Sequence, residues 1–170
     1  WGGVGCESIK PLIKKFRKYG IPEDRFYCIL AGNNAKLKET IAKSCPSDKV
    51  QAVGFTDKVH LYLKAADVVI SKSGGLSSTE VAVANVPVVH FKPIPGCETC
   101  NARFCEAKGM SKLAKNSKEA LKIAEALLGD EVEKQSMVEA QRREINAFSA
   151  DDVVKRVIEV VEARNATEKE

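Results

Sequence analysis

Apolar positions along this chain switch repeatedly between a helical period and short continuous runs, and the alternation predicts most of the elements. Ile9, Leu12, Ile13 and Phe16 recur at helical spacing, entered by a glycine-rich turn from Trp1 to Gly5. Phe26 to Leu30 is too short and too rich in aromatic and branched residues for a helix, and reads as a strand. Leu37 and Ile41 mark a helix that Asn34 or a neighbour can cap and that ends before Pro46. Val50 to Gly54 is a third apolar run, followed by a helical face of Val59, Leu63 and Ala66. Asp67 to Ile70 and Pro87 to Phe91 are two further strands, with a helix through Val81, Ala82 and Ala84 between them. Glu98 to Lys108 reads as a helix with Ala102 and Phe104 turned inward; Gly109 stops it before a short strand, Met110 to Ala114. The rest is helical. Leu121, Ala124 and Leu128 form one stripe, Val138 and Ile145 a sparse second, and Val153, Val154, Val157, Ile158 and Val161 a third. The tail from Asn165 is expected to fray.

Strands and helices alternating at this pitch predict βα units, hence an α/β fold with a Rossmann-like parallel sheet and helices on both faces. The expected division is a domain over residues 1–150 and a C-terminal helix and tail over 151–170. A glycine turn such as the one at Gly3 and Gly5 normally follows a strand, and none precedes it, so the first strand of the sheet is expected to be missing. In sheets of this kind ligands sit outside the carboxyl ends of the strands. Gly3, Gly5, Asn33, Phe55, the run Ser73 to Ser77, and Pro95 to Glu98 all fall at such ends. The stretch between Asp67 and Glu80 is the sharpest of them. An apolar strand runs into Ser71-Lys72-Ser73-Gly74-Gly75, and a helix opens near Leu76, which points the free N–H groups of a first helical turn at an anion.

Composition narrows the alternatives. The 170 residues are 44% hydrophobic and 29% charged, a globular balance with no apolar run long enough to cross a membrane. Trp1-Gly-Gly is not a signal-peptide pattern, which leads to a cytoplasmic expectation, and residue 1 is not expected to be where translation starts. The net charge of +4 is mild. Lys10 to Lys18 is a basic run without RNA-binding aromatics, so nucleic acid is not an expected partner; it reads as a solvated helix face or as an attraction for an anionic membrane surface. Of the six cysteines, Cys6, Cys28 and Cys45 are scattered singly, which fits reduced thiols. Cys97 and Cys100 form a C-x-x-C pair at a helix start, with Cys105 beyond, open to a redox or metal reading. No metal site is expected, because a second pair is missing. The Gly3–Gly5 turn lacks a third glycine, and Asn33-Asn34 supplies no carboxylate for a ribose, so a nicotinamide cofactor is not expected either. His90 alternates with Val89 and Phe91 in a strand, where a packed histidine is the ordinary reading and a catalytic one the alternative.

Ala31-Gly-Asn-Asn34, Val53-Gly-Phe-Thr56, Ala66 to Leu76, Glu80, and Pro93-Ile-Pro-Gly96 with Glu98 and Asn101-Ala102 together resemble the nucleotide-sugar-binding half of GT-B glycosyltransferases. The family is that of the monogalactosyldiacylglycerol synthases and processive diacylglycerol glucosyltransferases, with the peptidoglycan N-acetylglucosaminyltransferase more distant. The resemblance covers the chain from the glycine turn to about Leu128. It implies a UDP-sugar donor, a lipid acceptor such as diacylglycerol, inverting hexosyl transfer, no separate cofactor, and a peripheral membrane setting. It also implies an N-terminal acceptor-binding domain or partner chain that carries the general base. Residue by residue, Phe55 and Thr56 would border the uracil. Ser73, Gly74, Gly75, Leu76 and Ser77 would hold the diphosphate, and Glu80 the ribose, although Ser77-x-x-Glu80 is also a capping-box pattern. Pro95, Gly96, Glu98 and Asn101 would surround the sugar. Cys97 stands where the family commonly has glutamine, a departure at the sugar because a thiol is a poor hydrogen-bonding partner. A non-catalytic nucleotide-sugar-binding subunit is the alternative function.

Overall fold

A computed structural model describes residues 6–45 and 48–167. Gly3 and Gly5 lie outside the described residues. The order is α1 (Cys6–Tyr19), β1 (Tyr27–Gly32), α2 (Ala35–Ser44), β2 (Val50–Gly54), α3 (Val59–Lys64), β3 (Val69–Ser71) and α4 (Gly75–Val83). There follow β4 (Val88–Phe91), α5 (Cys97–Ala107), β5 (Lys112–Ala114), α6 (Ser117–Leu128), α7 (Glu131–Glu144) and α8 (Ser149–Thr167). All strand pairs are parallel, as crossover helices require.

The strands form two sheets, β1–β2 and β3–β4–β5, where one was expected. In register Val69 faces Val88 and Ile70 faces Val89 across β3 and β4, while β1 pairs only with β2. One edge of β1 and one edge of β3 are therefore unpaired among the described residues. Such edges carry a row of unfilled backbone donors and acceptors.

Period-two alternation sorts the larger sheet into two covered faces. Val69 and Val88 pack with Leu63, Val81 and Val86 beneath α3 and α4. Ile70, Val89 and Phe91 pack with Ala120, Ala124 and Leu127 of α6 and Met137 of α7 on the other face. Helices thus lie on both faces, and each fully buried valine contributes about 1.5–3 kcal/mol relative to exposure. A separate core joins Ile13 and Phe16 of α1 to Ile29, Leu37, Ile41 and Val50. The two parts are bridged by an ion pair of 2.9 Å between Lys15 of α1 and Glu125 of α6. The rest of the described basic run, Lys14, Arg17 and Lys18, stays on the exposed face.

One local expectation is corrected. Ala102 is buried, but Phe104 is 52% exposed and Cys105 takes the inward position. At 100° per residue, Ala102 and Cys105 share a face and Phe104 does not. The stripe on α8 exists, yet Val153, Val154, Val157, Ile158 and Val161 are all more than half exposed. The last helix runs to Thr167, and residues 168–170 of the tail expected to fray lie outside the described residues.

Appending a strand of ~8–10 apolar residues ahead of the glycine turn is predicted to raise the urea midpoint clearly over that of residues 1–170. Equal midpoints would mean that the edges of β1 and β3 need no partner.

Candidate functional site

The carboxyl ends of β3 and β4 each lead into a turn and a helix, and the two turns are stitched together. The Ser73 hydroxyl donates to the Glu98 carbonyl at 2.6 Å, and the Asn101 amide returns a bond to the Ser73 carbonyl at 3.1 Å. The Glu98 carboxylate accepts from the Ile94 N–H at 2.8 Å and lies 3.5 Å from the Lys72 ammonium. Ser73 is fully buried, so its polar groups depend on these two bonds, made to half-buried partners, to be satisfied.

What makes this edge a candidate site is the pair of helix starts. α2, α6 and α7 are capped by side chains: Asn34, Asn116 and Asp130 accept from the N–H groups of Leu37, Glu119 and Glu133. α4 and α5 begin instead at Gly74 and Gly96, with no side-chain cap. The first helical bonds run from Ser78 to the Gly74 carbonyl and from Cys100 to the Gly96 carbonyl. The N–H groups of Gly75, Leu76 and Ser77, and of Cys97, Glu98 and Thr99, precede those bonds and belong to the unsatisfied first turns. Two such turns, cross-linked, present partial positive charge to an anion.

Glycine plays different parts in the two turns. Gly96 adopts φ 99°, ψ −121°, a conformation closed to other residues. Gly74 sits at φ −63°, and a Cβ on Gly74 or Gly75 would approach nothing in the protein closer than 3.9 Å. The protein's own packing does not demand glycine there, and the space is left over for something else.

Helix α4 opens at Gly75, so Ser77 is in its first turn and cannot be the cap, which removes the capping-box reading of Ser77 and Glu80. Glu80 lies further along α4, exposed; its carbonyl accepts from the Ala84 N–H, while no hydrogen bond or ion pair engages its carboxylate among the described residues. Leu76, Pro95, Gly96 and Cys97 are exposed around the two turns. Asn33 and Phe55 are exposed at the ends of β1 and β2, in the other sheet. At 78% exposure Phe55 is not a core residue, and Thr56 accepts from the Lys58 N–H. Among the described residues no hydrogen bond or ion pair joins those three to the stitched turns. Sequence reasoning named Ser73, Glu98 and Asn101 but missed Lys72; a lysine inside a strand-to-helix turn is the signal that marks it.

His90 is the packed histidine expected from its strand. It is 1% exposed, its Nε2 lies 3.3 Å from the Ser78 hydroxyl, and burial pushes its pKa down to about 4. The neutral ring thus helps seat α4 on β4. Cys28, Cys45, Cys97, Cys100 and Cys105 are free thiols, and among the described residues no group of three or more His, Cys, Asp or Glu could hold a metal.

Residues 12–157 match the glycosyltransferase family 28 C-terminal domain. The chain belongs to that family. Among curated proteins, the family 28 domain is 29% identical over 154 residues to the processive diacylglycerol beta-glucosyltransferase of Bacillus thuringiensis (strain Al Hakam), covering 89% of this chain and 39% of that protein. It is 28% identical over 131 residues to that of Bacillus subtilis (strain 168), covering 75% and 34%. The chain therefore spans well under half the length of these relatives. The S. aureus MnaA–UDP co-structure superposes with a TM-score of 0.69 at 21% identity, over 94% of this chain and 43% of that one. Acinetobacter baumannii MurG does so with 0.68 at 21%, over 93% and 48%. At this identity the structural likeness speaks to the fold, which is that of the C-terminal half of GT-B glycosyltransferases. No helix among the described residues is long and apolar enough to cross a membrane.

The family 28 domain should lose stability on mild acidification through His90. Its folded pKa lies below the ordinary 6.5, so the unfolded chain binds the proton first and stability falls as pH drops below about 6.5. Between pH 7 and pH 5 the loss should be roughly 2 kcal/mol. Urea melts at both pH values should show it, and His90→Gln should flatten the dependence. An unchanged slope in the variant would mean that His90 is solvated.

Proposed function

We propose that this domain binds the UDP-sugar donor of an inverting glycosyltransferase that moves a hexose to a lipid acceptor such as diacylglycerol. One observation carries the reading: two uncapped helix starts, at Gly74 and Gly96, are locked side by side by Ser73, Glu98 and Asn101. A diphosphate is the ligand that such a pair suits, since it offers acceptors to both turns and gains from both dipoles. The room over Gly74 and Gly75 lets phosphate oxygens reach the backbone.

In this reading Ser73, Gly74, Gly75, Leu76 and Ser77 receive the diphosphate, Glu80 accepts from the ribose hydroxyls, and Phe55 with Thr56 borders the uracil. Pro95, Gly96, Cys97, Glu98 and Asn101 surround the hexose, and Gly3, Gly5 and Asn33 complete the nucleotide side. During transfer the same N–H groups would take up the charge that grows on the departing diphosphate, while a general base removes the acceptor proton. In this proposal that base comes from an N-terminal domain or a partner chain. The named activity of the curated relatives, and their length, support this assignment.

A second reading, a nucleotide-sugar-binding unit that works through a partner, draws on α8. Its valines and isoleucine form an apolar stripe that is more than half exposed. Contact with a membrane surface through Lys14, Arg17 and Lys18 belongs to the same proposal.

Glu80 separates ribose binding from a structural role. With the capping box gone, Glu80→Gln should leave the thermal midpoint unchanged. If the carboxylate holds the ribose, loss of charge-assisted bonds of about 1.5–3 kcal/mol should weaken UDP roughly ten- to a hundredfold. The preference for UDP over its 2′-deoxy analogue should vanish with it. Calorimetric titration of both nucleotides into both proteins reads the full cycle, and parental affinity in the variant would overturn the assignment.

A further inference from the structure

Cys97 and Cys100 stand one turn apart at the start of α5, and no other cysteine in the sequence has a second within four residues. We propose that the two form a reversible dithiol–disulfide site, with a low-molecular-weight disulfide of the glutathione class as oxidant. The turn that holds them is helical: the Cys100 N–H donates to the Gly96 carbonyl at 3.2 Å, a bond that encloses both residues. Helical geometry then sets their Cα atoms about 5 Å apart, inside the range of about 4.4–6.8 Å that a disulfide spans. Both are exposed free thiols. Ala102 and Cys105 hold the buried face of α5. At 100° per residue the pair lies well round from that face, so a bridge would disturb no core contact.

The exchange balances without any further reactant. One thiolate of the pair attacks a sulfur of oxidised glutathione, forming a mixed disulfide and expelling one glutathione thiolate. The second cysteine then attacks its neighbour's sulfur, closes the Cys97–Cys100 bond and releases the other glutathione. The two electrons given up by the pair reduce one glutathione disulfide to two thiols, which also take up the two protons. Closure strains the turn, because Cβ atoms three residues apart on a helix stand about 5–6 Å apart against about 3.5–4.5 Å across a disulfide. A strained, exposed bridge is the readily reduced kind, so the pair exchanges rather than staying locked. Partial burial pushes the Cys28, Cys45 and Cys105 thiols up, which withholds thiolate from them and favours exchange on α5. Cys97 also belongs to the hexose side of the proposed donor site. The exchange itself needs no nucleotide and does not rest on that assignment.

The test equilibrates the 170-residue chain in glutathione buffers, quenches it with acid, alkylates it and reads peptide masses. Trypsin leaves Cys97 and Cys100 on one peptide that ends at Arg103 and holds no other cysteine. With oxidised glutathione that peptide should lose two hydrogens and both alkylation sites, and reduced glutathione should restore them. At a fixed ratio of the two forms, diluting both tenfold should raise bridged over reduced peptide about tenfold, because closure releases two glutathiones for each disulfide consumed. A mixed disulfide would not respond to that dilution. Cys97→Ser and Cys100→Ser, each left with one thiol on the turn, should instead retain a bound glutathione. A peptide that stays reduced in oxidised glutathione would overturn the inference. So would a parent chain that retains glutathione as the single variants do.

Discussion

The buried exchange between Ser73 and α5 is the constraint on which the rest of this edge depends. Ser73 gives its hydroxyl to the Glu98 carbonyl and receives the Asn101 amide on its own carbonyl. These bonds join segments twenty-five and twenty-eight residues apart, and their Ser73 end is fully buried while Glu98 and Asn101 are half-buried. Without them α4 and α5 would be two neighbouring helices on one face of a sheet. With them, the open ends of both helices hold a fixed relation, which a ligand binding to two sets of N–H groups requires.

Much of this was legible in the chain. The strand-turn-helix character of residues 67–83 follows from a β-branched run, two glycines and a helical period, and the structure places each element within two or three residues of that reading. Asn34 caps α2 as its position before the apolar period implied. Other features were not legible because periodicity reports which face of an element is apolar and says nothing of what covers it. The α8 stripe is periodic and exposed. The split into two sheets is likewise a matter of pairing, and an apolar strand reads the same with or without a neighbour. Phe104 was misplaced for a different reason: an aromatic residue two positions from Ala102 is on the other side of a helix, however hydrophobic it is.

Glycine at Gly74 and Gly96 illustrates two physical origins for one residue type. Gly96 is required by its backbone, which no side chain would tolerate. Gly74 is compatible with alanine on both conformation and space, so its lack of a side chain is an opening rather than a necessity. A sequence pattern alone gives both the same letter. Only the second bears on what can approach the backbone from outside.

Glu98 raises an electrostatic difficulty that Lys72 resolves. A carboxylate in the first turn of α5 is favourable for that helix, yet a bare negative charge beside the proposed anion site would repel such a ligand. At 3.5 Å the Lys72 ammonium balances it, and both side chains are largely shielded from water, with relative exposures of 25% and 19% for Lys72 and Glu98. The Ile94 N–H takes a further share of the carboxylate's hydrogen-bonding capacity. With the formal charges paired, the field at the mouth of the two turns is set by backbone N–H dipoles. Those are preorganised by the fold and cost no side-chain ordering when a ligand arrives. Lys72 and Glu98 therefore act together, and removing either one would leave the other's charge unbalanced at the point where the sign of the field matters most.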